Sequence, residues 1–533
     1  MPTVSLRGAV AAALLIPAAA PMNAQAAGDA ELAALRAELD EMKTQYETRI
    51  RQLEARLADA EQAAARAARS AEAAAGRAEP AAVGAAASLP MTAPRVMPAA
   101  ATTRGRGAFD ALTSGTAFNP QIAVILDGNY YQDGIDGEGA TLVGQAYRPG
   151  VVVHDHDSGE DHDHADDGHA HGVATNGFNF REAELSFSAT VDPYFDAATY
   201  LSIDGDGNVN LEEAYFESRA LPYGLKVKGG RFLSGFGYHN DKHPHQWDFV
   251  DQNLPYLNLL GFHGLQDTGL QLTWLPELPV YTLFGVEALQ GDQEVFGTTL
   301  GEDEQDALNL GDSDDGPRLF TAFAKVAPEI GRNHALQFGL SYAHSIQHQA
   351  VQTHTHADEE DEHVHEDDGV TEELHETGLA GDADLWGVDV VYKYDGGGAH
   401  GQGDLKLQAE YLRSIQDLTV RASAHPEQLG NKRTYTTDGL YAQAVYGFAP
   451  KWKAGLRYDV LGLTNEVSGA VDDSFGSSDR WTLDVTWSPS EFSQLRAQYA
   501  WNDILVEPGE RESFGAFYLQ FLMSLGSHGA HAF

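Results

Sequence analysis

Cysteine is absent from the 533-residue chain. Disulfides and thiolate metal sites are therefore excluded, and imidazole and carboxylate are left as the strong side-chain ligands. Basic residues are scarce as well: 34 Lys and Arg stand against 79 Asp and Glu, a formal charge of −45. A field of that sign repels nucleic acid and phosphorylated ligands and concentrates cations, so divalent metal ions are the favoured partners and nucleic acid is not one. Long apolar runs are missing beyond the N-terminus, where none approaches the roughly 18 residues that a spanning helix needs. Catalytic motifs are missing too. The Gly-rich "DGGGAHGQG" is followed by no Lys-Ser/Thr pair, and "DGDGNVNLEE" from Asp204 to Glu213 begins like a calcium loop but places Val209 where the tight-turn glycine belongs. The chain reads as a non-enzyme with no required cofactor, for which zinc or another divalent transition metal is ligand or cargo.

What is present starts with an export signal. Arg7, the apolar "GAVAAALLIPAAA" and the small-residue site Ala24-Gln25-Ala26 read as a signal peptide over residues 1–26. From Leu32 the seam Leu35, Leu39, Met42, Tyr46, Ile50, Leu53 and Leu57 has three- and four-residue spacing, which predicts a coiled coil within residues 27–75. A Pro/Ala/Gly linker over residues 76–117 follows.

Beyond residue 117 the grammar changes to period two. Sixteen segments alternate apolar and polar residues, from "FNPQIAVILDGNYY" to "SFGAFYLQFLMSL". Tight, often Pro-marked turns such as "DPY", "LPYG" and "SPS" alternate with connections that mostly run from ten to more than forty residues. The fold this predicts is an all-β transmembrane barrel of about 16 antiparallel strands over residues 118–533, porin-like, behind an N-terminal α-helical coiled coil. A soluble β-sandwich is the alternative, and sandwiches do not need one side of every hairpin to be long. The barrel surface calls for outer-membrane lipid. The last strand and the terminal Phe533 suit the barrel-assembly machinery, and an even strand count puts the coiled coil in the periplasm.

Two runs carry metal-ligand chemistry. Residues 154–172, "HDHDSGEDHDHADDGHAHG", hold six histidines and seven carboxylates in 19 positions, and residues 353–376 repeat the composition. The pairs are His154 with His156, His162 with His164, His169 with His171, His354 with His356 and His363 with His365, and His375 lies beyond. In an extended segment, residues two apart project to one side roughly 6.5–7 Å from each other, close enough to straddle one ion. Imidazole with Asp and Glu suits Zn²⁺, Cu²⁺ or Ni²⁺. Both runs fall on the long-loop, extracellular side, where the alternative is an acidic solvated loop without a ligand.

"FNPQIAVILDGNYY", "GGRFLSGFGYHNDKHPHQWDFVDQNLPY" and the closing "GSHGAHAF" resemble a family of porin-like Gram-negative proteins commonly labelled zinc-regulated TonB-dependent outer membrane receptors. The resemblance implies an outer-membrane location, a role in metal supply and zinc as the metal. The connection from Leu233 to Leu265 is the third on the long side, and resemblance to porins puts it inside the pore. There His243 and His245, joined by Asp248 and Asp251, are candidate ligands, and the alternative is a buried network that only holds the loop in place. The leading expectation is a passive channel for divalent metal, as a homotrimer. The alternatives are a structural tether between barrel and cell wall, and a TonB-dependent metal receptor. Deleting residues 27–100 separates tether from channel: a tether loses envelope integrity while metal supply survives.

Overall fold

A computed structural model describes residues 121–150, 174–313, 315–356 and 373–526. The signal peptide, coiled coil and linker read from the sequence lie outside the described residues, as do the run 154–172 and residues 357–372 of the second run. Strand β1 (Gln121–Asp133) pairs with β2 (Gly177–Thr190) on one side and with β17 (Glu510–Gly526) on the other, which closes a ring in which every neighbour is antiparallel. Of its seventeen strands, β14 (Asp473–Ser474) is a two-residue spur on β13 (Trp452–Gly469), so sixteen form the wall. All sixteen alternating segments of the sequence are wall strands.

The wall is polar within and apolar without. Along β6 (Gln266–Trp274), Leu270 and Leu272 are exposed while Gln271 between them is buried. On β15 (Ser478–Ser490) and β17, the apolar Leu483, Val485, Leu519 and Phe521 face out, and Arg480, Thr482, Asp484 and Gln520 are buried. Aromatic pairs lie on the outer face: Trp452 with Trp487 at 5.8 Å near one turn, and Tyr342 with Trp386 at 4.5 Å further along. This inside-out alternation is the pattern of a barrel solvated by lipid.

The wall is uneven in height. Between β3 (Phe195–Asp204) and β8 (Leu319–Ala327), strands β4 (Val209–Ser218), β5 (Leu225–Leu233), β6 and β7 (Tyr281–Leu289) have 9 or 10 residues. Next come β9 (His334–His356), β10 (Glu373–Tyr394), β11 (Leu405–Ser423), β12 (Lys432–Ala449) and β13, with 18 to 23. The sequence reading ends β9 near Ser345 and starts β12 at Gly439, too short in both cases. A register shift explains the first and a polar start the second. The β9–β10 ladder skips between Gly381/Ala383, and the β12–β13 ladder between Thr437/Gly439. The β9 bulge reverses which of its residues face the lumen, whereas β12 keeps its phase and begins with the almost wholly polar "KRTYTTD", so in both the alternation stops being readable although the strand continues. The second His-rich run is corrected accordingly: its ends belong to strands β9 and β10, not to a loop.

Candidate functional site: the loop across the lumen

Residues 234–265 leave β5 and return to β6 by crossing the inside of the barrel. The segment can be ordered because it has its own apolar core: Phe236, Phe249, Val250, Leu254, Tyr256 and Leu260 are all buried. A short helix, Leu254–Leu260, opens at Asn253, whose side chain accepts the Tyr256 N–H. Gly237, with φ of 63°, approaches so closely that a Cβ would strike the Tyr256 hydroxyl; a side chain there is excluded by both space and backbone.

One flank of the loop is tied to a basic wall. Asp251 accepts from Arg457 and from Arg480, each at 2.9 Å, and the Nε of both arginines donates to Asp459 at 3.0 and 2.9 Å. Gln498 on β16 (Ser493–Glu507) donates to Asp251 at 2.7 Å. Burial opposes its charge, yet Arg480 and Arg457 hold the Asp251 carboxyl down at about 2. Asp248 takes Lys406 at 2.6 Å and Gln443 at 2.7 Å. Arg496 reaches the Trp247 carbonyl at 3.0 Å. Other ties come from Glu410, which accepts the Tyr238 N–H and the Tyr256 hydroxyl at 2.9 Å each, and from Glu287, which accepts the Gly235 N–H at 2.9 Å. His239 is buried and pushed down to about 3, a neutral ring against Trp247 and Tyr256.

The other flank meets an acidic wall, built by two bulges. In the β3–β4 ladder Tyr200 faces Glu213 and Leu201 faces Leu211, which leaves Glu212 as the extra residue. Two consecutive carboxylates therefore reach the lumen. In the β1–β2 ladder the shift after Asp127 makes Arg181 the extra residue, beside Glu182; its guanidinium pairs with Asp127 at 3.1 Å and donates to the Val250 carbonyl. His243 fits between the glutamates, Nδ1 at 2.9 Å from Glu212 and 3.4 Å from Glu184, Nε2 at 2.9 Å from Glu213. His245 Nδ1 lies 3.1 Å from Glu184. Tyr200 stacks on His243 at 4.9 Å. Burial disfavours the imidazolium, but the hydrogen bonds to Glu212 and Glu213 outweigh it and raise His243 well above its ordinary value.

The structure thus brings His243 and His245 together and separates them from Asp248 and Asp251. Those two aspartates, expected as metal ligands, are instead anions of salt bridges to the opposite wall. The carboxylates beside the imidazoles are Glu184, Glu212 and Glu213, which strand reading passed over as ordinary wall residues. The available signal was "LEEAY", a doubled carboxylate that interrupts an alternating strand. Of the surface histidines expected as ligands, His154, His156, His162, His164, His169 and His171 of the first run lie outside the described residues, as do His363 and His365 of the second. The expected loop positions of His354 and His356 are corrected to the end of β9, where the β9–β10 register sets His354 opposite His375 and His356 opposite Glu373.

Among the described residues, Glu184, Glu212 and His243 each offer one ligand atom within 4.8 Å of the others, a set suited to a divalent ion. His344, Asp382 and Asp384 converge likewise on the β9–β10 hairpin. A small void of about 20 Å³, room for about one water, lined by Glu212, His239, His243, Trp247, Tyr256 and His263, adjoins the first set.

No family model matches the chain. Solved structures of similar fold include the outer membrane channel DcaP of Acinetobacter baumannii, with TM-score 0.42 and 13% identity over 76% of this chain and 96% of that one. An anion-selective porin from Comamonas acidovorans gives TM-score 0.41 and 12% identity over 76% and 99%. OmpT, an outer membrane protein of Vibrio cholerae, gives 0.41 and 10% over 76% and 97%. Over 373 residues, 69% of this chain and 73% of the relative, the sequence is 33% identical to an "Uncharacterized protein" of Aquifex aeolicus (strain VF5), and the chain belongs to one family with it.

Proposed function

We propose that this protein is a porin-type outer-membrane channel that admits divalent cations, zinc foremost, to the periplasm of a Gram-negative cell through a lumen narrowed by residues 234–265. The observation that carries the reading is the acidic wall: Asp127, Glu182, Glu184, Glu212 and Glu213 line the lumen side beside the loop, and all are buried. On that flank of the loop, opposite the wall of Arg457 and Arg480, clustered carboxylates in a low-dielectric setting concentrate cations. The His-rich runs at the long-loop end then raise the local metal concentration, and the trip inward needs no catalysis. Sixteen wall strands fall short of the about 22 of a TonB-dependent receptor, whose lumen holds a separate folded plug; the energised part of the label is not adopted. We take the assembly as a homotrimer inserted by the barrel-assembly machinery through β17.

Planar-bilayer recording tests this. A salt gradient should give a cation-selective reversal potential, and anion selectivity would sink the reading. Deleting residues 154–172 and 357–372 together should leave a heat-modifiable barrel, because the described residues close the ring of sixteen strands by themselves, while whole-cell zinc capture drops. An unchanged zinc titration of cells returns the runs to ordinary solvated loops.

A further inference from the structure

The acidic wall under the loop has more carboxylates than its cationic partners, Arg181 and the His243 ring, can balance. Asp127, Glu182, Glu184, Glu212 and Glu213 are 0, 6, 1, 4 and 7% exposed. Among the described residues, the permanent cation paired with this cluster is Arg181, spent on Asp127. Arg231 and Lys228 of the neighbouring strand are engaged elsewhere, Arg231 with Gln266 at 3.1 Å and Lys228 over the Tyr215 ring at 4.5 Å. Oε1 of Glu182 and Oε1 of Glu184 accept no hydrogen bond although they are buried. Carboxylates this deep are paired, take up a proton or bind a cation, because an isolated buried charge is strongly disfavoured.

We propose that Glu184, Glu212 and His243 form a binding site inside the lumen for a first-row divalent transition metal. His245, 3.1 Å from Glu184, completes it from the loop. The donor set supports this class of ion: carboxylates alone would suit Ca²⁺ or Mg²⁺, whereas two imidazoles beside them favour Zn²⁺ and its neighbours. Two ligands come from the wall and two from the loop, so a bound ion joins them. Space adjoins the site on both sides. Glu212 and His243 line a void of about 20 Å³ within the loop, room for about one water or a bare ion. Tyr200, stacked on His243, lines a second space at the short-turn end with Ser188, Asp196, Tyr215 and Glu217. An ion held here is a station on the route and not a permanent cofactor.

The inference rests on the channel reading and is separable from it. Crystals of the full-length protein are soaked in zinc chloride and anomalous maps are recorded above and below the zinc edge. The expected result is a peak within coordination distance of Glu184, Glu212 and His243 in the wild type and its loss in the Glu184→Gln, Glu212→Gln double variant, whose folding is checked by heat-modifiable migration. Zinc peaks confined to other places, or none, overturn the site, and the wild-type map decides this even if the variant does not fold. A wild-type pore that is cation-selective in bilayers but shows no peak here loses this inference alone, whereas an anion-selective pore loses the channel reading.

Discussion

Asp251→Ala is expected to open the pore intermittently and to shift its selectivity towards anions. The carboxylate ties the loop to Arg457 and Arg480 on the neighbouring strands β13 and β15, with Asp459 closing a square of two guanidiniums and two carboxylates. Removing one partner of a buried ion pair costs about 3–5 kcal/mol, since the charges left behind are not solvated. At 1.4 kcal/mol per decade, that lowers the ratio of docked to undocked loop by about two to three and a half orders of magnitude. The barrel should still assemble, because its backbone ladder closes through β1 and β17 without the loop. Single-channel recordings should show added high-conductance openings, and the surplus positive charge of Arg457 and Arg480 should move the reversal potential. Recordings indistinguishable from wild type would mean that the square does not hold the loop.

Trp247→Ala should raise conductance without that change in selectivity. The indole is buried, its Nε1 donates to the Lys242 carbonyl at 3.0 Å, and its ring lies against His239 at 5.3 Å and Phe262 at 5.8 Å. Emptying a site of that size costs about 3–5 kcal/mol, and the cost falls on a segment held by its own small core. Arg496 still reaches the backbone carbonyl of residue 247 in the variant, since that contact uses no side-chain atom of Trp247. No charge is created or removed. A reversal potential that moves as far as in Asp251→Ala would show that the two substitutions act by one route, against the division drawn here between packing and charge.

The fold was legible because lipid outside and polar groups inside impose a period of two on every wall strand, and turns such as "SPS" punctuate it. Legibility stopped for two reasons: past Ser345 in β9 a bulge makes the residues change sides, so a period-two reading loses its phase, and before Gly439 in β12 the polar "KRTYTTD" offers no apolar face to read. The loop was legible for a different reason. "YHNDKHPHQWDFVDQNLPY" mixes aromatic and charged residues, which marks a segment able to pack, unlike the His-rich runs. Its partners were not legible. Asp251 meets Arg480 at a separation of 229 residues and His243 meets Glu212 at 31, and no local pattern reports which charge a folded loop will find. Asp248 and Asp251 were therefore assigned to the nearest imidazoles in sequence, when the barrel supplies them with arginine and lysine.

The two flanks of the loop are electrically opposite. His243 and His245 face glutamates on β2 and β4, while Asp248 and Asp251, a few residues later, face Lys406, Arg457 and Arg480. Reversed end for end, the same segment would set aspartate against the glutamates and imidazole against the arginines, with every contact repulsive or unpaired. The charges thus act on the folding search as a polarity mark: they penalise the mirrored docking that hydrophobic burial alone would tolerate. A loop of 32 residues confined within a cylinder has little room to turn round once it has docked. What looks in the finished structure like redundant anchoring is, during assembly, the instruction for which way round to land.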